Sequence, residues 1–314
     1  MNIAPSRRNF LLLAGAGATV ALAGCGSSSV ASAIKPQHIY VVGDGFCDVG
    51  QTGAVATVND GSLTWVQALA AEYGLTVEPA NKGGTGYAQV YARIDSPDTT
   101  SGTNAPSVKQ QIDQLLADVT AFENDDLIII NGGMHDIIDA FNANGISDTT
   151  TAIVKAAGQA LSAQVKRLRD AGVKHVCVAG TYSLSITPWG RATGFGSEGE
   201  GLDDNSPLNK LTNDFNGALK IATQSWSATV LLVEPAGMFN DIANHLESYG
   251  IDESLTPVCT TPTALTCTAS TVKDADYNRY LFADDLHFTP AVLRLYASDN
   301  NYGNNIYSKL KQRW

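Results

Sequence analysis

The chain has 314 residues, 31 of them acidic and 20 basic, for a formal net charge of −11. Nucleic-acid binding through counterion release, and attraction to anionic lipid heads through a polybasic patch, both need clustered lysine and arginine that this sequence lacks, so both are excluded. With 44% hydrophobic residues there is enough apolar material for one large α/β domain or two smaller ones.

The first 24 residues read as a signal segment. Arg7 and Arg8 precede an uncharged stretch, residues 10–23, that is too short to span a bilayer comfortably as a permanent helix. Leu22-Ala23-Gly24-Cys25 resembles a lipobox, in which small residues admit the signal peptidase and the Cys25 thiol takes the lipid. Ser6-Arg7-Arg8-Asn9-Phe10-Leu11 resembles a twin-arginine export motif. The alternative is an ordinary cleaved signal followed by a chance cysteine. Loss of the segment removes two arginines and no acid, taking the charge from −11 to −13. Gly26 stands where an aspartate would have suggested retention at the inner membrane. The expectation is a lipid-anchored envelope protein, on the outer membrane of a cell that has one, touching the bilayer only through its acyl chain. Residues 26–35, rich in Ser and Ala, are expected to form a flexible tether of roughly 15–20 Å, followed by a single domain over residues 36–314.

Within that domain, four short apolar runs stop at Gly, Asn or Pro and are expected as buried parallel strands: residues 38–42, 127–130, 175–179 and 229–233. Helical patterns lie between them at 62–73, 108–122, 151–171 and 208–223, the third with Val154, Leu161, Val165 and Leu168 on one face. A closing helix is expected from about Pro290 to Lys311. Strands alternating with helices imply an α/β fold with a parallel sheet, right-handed crossovers and helices on both faces, three layers in all. Such folds gather their sites at the carboxyl ends of strands. The Gly-rich run 193–201 and the Thr-rich run 256–271 read as insertions. Cys259 and Cys267 bracket part of the second, and in a compartment that permits disulfides they are expected to pair, contributing roughly 2–3 kcal/mol by chain entropy. Cys177, in Val176-Cys177-Val178-Ala179, reads as a small buried hydrophobe.

Four segments at strand ends can carry chemistry. Gly43-Asp44-Gly45-Phe46-Cys47-Asp48 follows the first strand, but a dinucleotide fingerprint needs a small residue where Asp48 stands. Asn81-Lys82-Gly83-Gly84-Thr85-Gly86 lacks the Gly-Lys-Ser/Thr ending of a phosphate loop. Asn131-Gly132-Gly133-Met134-His135-Asp136 follows the second strand. In Asp284-Asp285-Leu286-His287, an Asp three residues before a His can accept the imidazole Nδ1–H and leave Nε2 free as a base. His38, His175 and His245 have no companions at metal-ligand spacing, so neither metal nor cofactor is expected. Trp189 stands where a pocket wall is expected, whereas the other tryptophans read as core.

Taken in order, these four segments resemble the sequence blocks of the GDSL, or SGNH, hydrolase family, mostly esterases and lipases on a flavodoxin-like sheet. Gly43 to Asp48 resembles the Gly-Asp-Ser-Leu-Ser-Asp block, and Asn81 to Gly86 the block whose last glycine gives the oxyanion an N–H. Gly133 to Asp136 resembles the Gly-x-Asn-Asp block, and Asp284 with His287 the closing Asp-x-x-His. The resemblance spans Val41 to Pro290. It implies His287 as base, Asp284 as its orienter, and Gly45, Gly86 and His135 around the oxyanion, with an ester-bearing small molecule, a lipid or an acetylated glycan as ligand.

The departure falls on the nucleophile: Gly45 stands where the family has its serine, and His135 where it has an asparagine. Three substitutes follow. Cys47 could attack as a thiolate, although two residues along a helix its side chain turns about half a circle away. His287 could deprotonate a water. Or the site binds an acyl or acetylated ligand without cleaving it, as a pseudoenzyme.

Overall fold

The computed structural model describes residues 34–198, 205–298 and 304–314. The signal segment, Cys25, most of the tether and the end of the 193–201 run lie outside the described residues. Four strands, β1 (Ile39–Val42), β2 (Leu127–Asn131), β3 (His175–Ala179) and β4 (Val230–Val233), pair in parallel in that order. Val42, Ile130, Val178 and Leu232 stand level across the sheet. Residues 85–89 extend the free edge of β1: Val41 N–H donates to Thr85 O, Tyr87 N–H to Val41 O, and Gln89 N–H to Gly43 O. With this edge segment counted second in the chain, the order is 2-1-3-4-5, that of a flavodoxin-like sheet.

The helices are α1 (Trp65–Glu72), α2 (Val108–Asp118), α3 (Met134–Asn144), α4 (Asp148–Asp170), α5 (Pro188–Ala192), α6 (Pro207–Thr223), α7 (Pro235–Asn244), α8 (Pro290–Ala297) and α9 (Ile306–Arg313). Their starts obey local chemistry. Thr64 with Gln67 and Ser107 with Gln110 form reciprocal capping boxes, and Ser206 caps α6 ahead of Pro207. Right-handed crossovers put α1, which leads from β1 outward to the edge, on the face opposite the helices that lead inward. Accordingly α2, α3, α4 and α6 pack as one layer, and α1, α8 and α9 as another. The α/β/α expectation holds. Covered on both faces, β1 and β2 are buried at every residue, which is why they read as unbroken apolar runs.

The closing helix expected from Pro290 to Lys311 is two helices. The first ends at Ser298, and Asn305 caps the second through its side chain on Ser308 N–H. A helical stretch after Asp136 was expected and is α3, whereas α7 was not expected from periodicity. Cys259 and Cys267 are bonded, with Cα atoms 5.8 Å apart, and Cys177 is buried. Among the described residues no helix is long and apolar enough to cross a membrane.

Candidate active site

The turn before α8 holds an Asp–His pair. His287 Nδ1 lies 2.9 and 3.1 Å from the two oxygens of Asp284. Asp284 also accepts from the backbone N–H groups of His287 (2.7 Å), Leu286 (2.9 Å) and Ala264 (2.7 Å). The Ala264 donor comes from inside the disulfide loop, which Asn59 steadies by donating to Ala264 O and Cys267 O. Around the turn, Tyr182 O–H donates to Leu286 O, Thr57 O–H to Phe288 O, and Trp189 N–H to Asp285 O. Phe288 stacks on Phe239 at 3.9 Å. Burial would raise the Asp284 pKa, but the His287 charge and hydrogen bond, with the Leu286 and Ala264 amides, hold it well below the usual carboxylate range. Burial would lower the His287 pKa, but the Asp284 carboxylate, with Asp44 and Asp48 behind it, outweighs that and the net shift is upward. His287 Nε2 is buried and has no hydrogen-bond partner.

The loop leaving β1 faces this imidazole. Gly43 has φ +150°, and a Cβ there would overlap the Asn131 side chain, so only glycine fits. Gln111 clasps Gly43 by both backbone groups, while Asn131 accepts from Asp44 N–H and donates to its carboxylate. Thus clamped, Gly45 presents its α-carbon to His287: a Cβ built on it would lie 3.3 Å from His287 Nε2 and 3.0 Å from Val90 Cγ2. Val90 continues the edge segment beyond β1, and its N–H donates to Asp48, which also accepts from Gly50 and Gln51. Its neighbour Tyr91 has φ +68°, the left-handed region, and its ring packs 5.0 Å from that of His135 in the first turn of α3. Burial, then the His287 charge, push the His135 pKa down to about 4, so this ring is neutral at neutral pH. Its Nε2 is also buried without a partner. The cavity beside Gly45 and His287, lined also by Thr57, Tyr182 and Phe288, measures about 10 Å³, room for about one water. A separate hollow of about 760 Å³ is lined by residues 243–248, Ile251 and Asp252 and contains none of these groups.

Compared with known protein families, residues 39–299 match the one described as GDSL-like lipase/acylhydrolase. The chain belongs to this family. A GDSL esterase/lipase of Arabidopsis thaliana is 27% identical to this chain over 150 residues, 45% of this chain and 39% of the plant protein. The matched region thus spans about two fifths of that relative. Among solved structures, a carbohydrate acetylesterase of Sinorhizobium meliloti is similar at 13% identity and TM-score 0.44, over 88% of this chain and 99% of the other. An extracellular lipase of Streptomyces rimosus gives 17% and 0.40, over 88% and 100%. An acetylxylan esterase of Geobacillus stearothermophilus gives 14% and 0.38, over 68% and 80%.

Of the site residues read from the sequence, Gly45, His135, Asp284 and His287 converge. Gly86 does not. It pairs with Val41 in the middle of the sheet edge, and its N–H donates to Glu78 O at 2.9 Å, so it has no N–H to offer an oxyanion. It is glycine because a Cβ would collide with Val49. Cys47 is fully buried in the core, and burial, then Asp44, Cys177 and Asp48, push its thiol well above the usual range. No hydrogen bond joins it to His287, and a buried neutral thiol is no nucleophile. Trp189 is partly buried at the start of α5, edge-on to Phe141. Among the described residues no three His, Cys, Asp or Glu side chains are grouped to hold a metal. Val90 and Tyr91 were missed, and nothing in their own sequence marks them. Ala264 was missed as well, although its place between the two cysteines was a usable signal.

Proposed function

We propose that this GDSL-family protein is an exported, lipid-anchored envelope protein that binds ester-bearing ligands (acyl lipids or acetylated glycans) and lacks serine-type turnover. One observation carries the reading: His287 Nε2, the atom that would activate a nucleophile, faces the bare α-carbon of Gly45, with no hydroxyl or thiol in reach. Loss of the nucleophile in a serine hydrolase costs on the order of 10⁶ in turnover, leaving roughly 10³ over water from oxyanion stabilisation and binding. Here Gly86, which the resemblance puts at the oxyanion, also has its N–H committed to Glu78 O.

A second reading is direct hydrolysis by a water that His287 deprotonates, favoured by the intact Asp284–His287 pair and the one-water cavity beside it. The mature protein and its His287→Ala variant, assayed on short- and medium-chain nitrophenyl esters, decide between the two. Equal background rates support binding without turnover, to be followed by calorimetry with acetylated oligosaccharides and fatty acyl esters. A rate that His287→Ala removes refutes the first reading and establishes the second. Lipidation is tested separately by the mass of the envelope-extracted protein, with and without Cys25→Ala.

A further inference from the structure

The space around position 45 is specific in what it rejects. A serine Oγ hydrogen-bonded to an imidazole at about 2.8 Å holds its Cβ roughly 3.4 Å from the nitrogen. The Cβ direction of Gly45 meets that condition, at 3.3 Å from His287 Nε2. The Gly45 backbone is not among the positive-φ glycines, so it can accept a side chain. What opposes one most is Val90, whose Cγ2 at 3.0 Å and Cβ at 3.4 Å would have to give by a few tenths of an ångström. Val90 is fully buried and cannot swing into solvent. Asp48 pins its backbone from the Gly45 side through Val90 N–H, and Tyr91 follows in a conformation that L-residues rarely adopt.

We propose that Gly45 and Val90 are a matched pair, in which the valine methyl occupies the room that a hydroxymethyl group at position 45 needs, so that a working serine is restored only when both positions are changed. This rests on the reading that the natural chain lacks a nucleophile. It goes further in naming the residue that keeps the centre disarmed: serine at position 45 is necessary and insufficient. Position 90 then decides whether the Asp284–His287 pair, already set, has anything to act on.

The test compares the mature chain with Gly45→Ser, Val90→Ala and the double variant Gly45→Ser/Val90→Ala, using a fluorophosphonate probe. In the labelling step the serine Oγ forms a bond to phosphorus, the P–F bond breaks, fluoride leaves, and the hydroxyl proton passes to His287 Nε2. Labelling of the double variant at least tenfold faster than Gly45→Ser, and abolished by adding His287→Ala, is expected. Equal labelling of Gly45→Ser and the double variant would overturn the proposal, as would a folded double variant that does not label. Melting temperatures provide a second readout: Gly45→Ser should lower the midpoint more in the natural chain than with Val90→Ala already in place. A Gly45→Ser chain that fails to fold and is rescued by Val90→Ala supports the pairing, and equal shifts in both backgrounds contradict it. Turnover by the natural chain that depends on His287 would instead sink the reading beneath the proposal, whatever the labelling shows.

Discussion

The two halves of the site have had opposite fates. In the turn before α8, every side-chain polar atom of the Asp284–His287 pair except Nε2 has a partner, and Thr57, Tyr182 and Trp189, distant in sequence, hold the backbone around it. Across the cleft, the position that would carry the nucleophile is Gly45, Val90 crowds it, and His135 turns a neutral, unpartnered nitrogen inward. One half holds a hydrogen-bonded Asp–His pair; the other presents it with a glycine in place of a side chain. Such a difference indicates that the Asp–His pair does work independent of turnover. A buried carboxylate satisfied by three backbone amides is part of what holds the turn, whatever the site does chemically.

That contrast can be broken most severely at Asp284. Asp284→Ala leaves the Ala264 and Leu286 amides without their acceptor and removes the counter-charge of a buried imidazole. Chemical denaturation should show a loss of about 3–5 kcal/mol. A loss below about 1 kcal/mol would mean that the pair is a remnant without structural weight.

The other half is probed by pH. The His135 pKa in the folded chain is about 4, below its unfolded value. Between roughly pH 6.5 and 4 the unfolded chain therefore binds the extra proton, and stability falls as pH falls through that window, by about 3 kcal/mol for a shift of this size. His135→Asn should remove that part of the slope, so that the two stability curves, apart at pH 7, converge or cross toward pH 4. Parallel curves would show that the ring is solvated. His287 has the opposite sign: its raised pKa gives stability that is complete below the unfolded value and lost as pH rises through the folded one.

Next in size is the disulfide. Cys259→Ala/Cys267→Ala should cost roughly 2–3 kcal/mol and, by loosening the Ala264 donor, lower the His287 titration midpoint read by NMR. An unchanged midpoint would separate the loop from the pair. The smallest effect is expected at Cys47, where Cys47→Ala should cost about 1 kcal/mol of packing and leave any ester hydrolysis unaltered. The native thiol should react with maleimide only after denaturation.

Much of this was legible beforehand, for identifiable reasons. The strands were visible because burial on both faces makes β1 to β3 continuous apolar runs, and the Asp-x-x-His spacing sufficed to place His287 Nδ1 on Asp284. Gly45 announced the missing serine. Gly86 misled because a glycine needed for clearance from Val49 and one needed to expose an N–H look alike in a sequence. Val90 was invisible because its role is set by a contact across 45 positions of chain, which no local pattern encodes. The split of the last helix was written in the polar run after Ala297 but was outweighed by the periodicity on either side.

The hold of Asp284 on Nδ1 also fixes which face of the ring is a lone pair. With Nδ1 carrying its proton, the neutral tautomer offers only an acceptor at Nε2. In that state an alcohol, a water or an undissociated acid can satisfy it, whereas an ester or a carboxylate brings no hydrogen and gains nothing. Once protonated, the same nitrogen donates, and the preference inverts toward ester carbonyls and anions. A group that reaches Nε2 is thus matched or refused by which partner supplies the hydrogen, and acidity reverses the match.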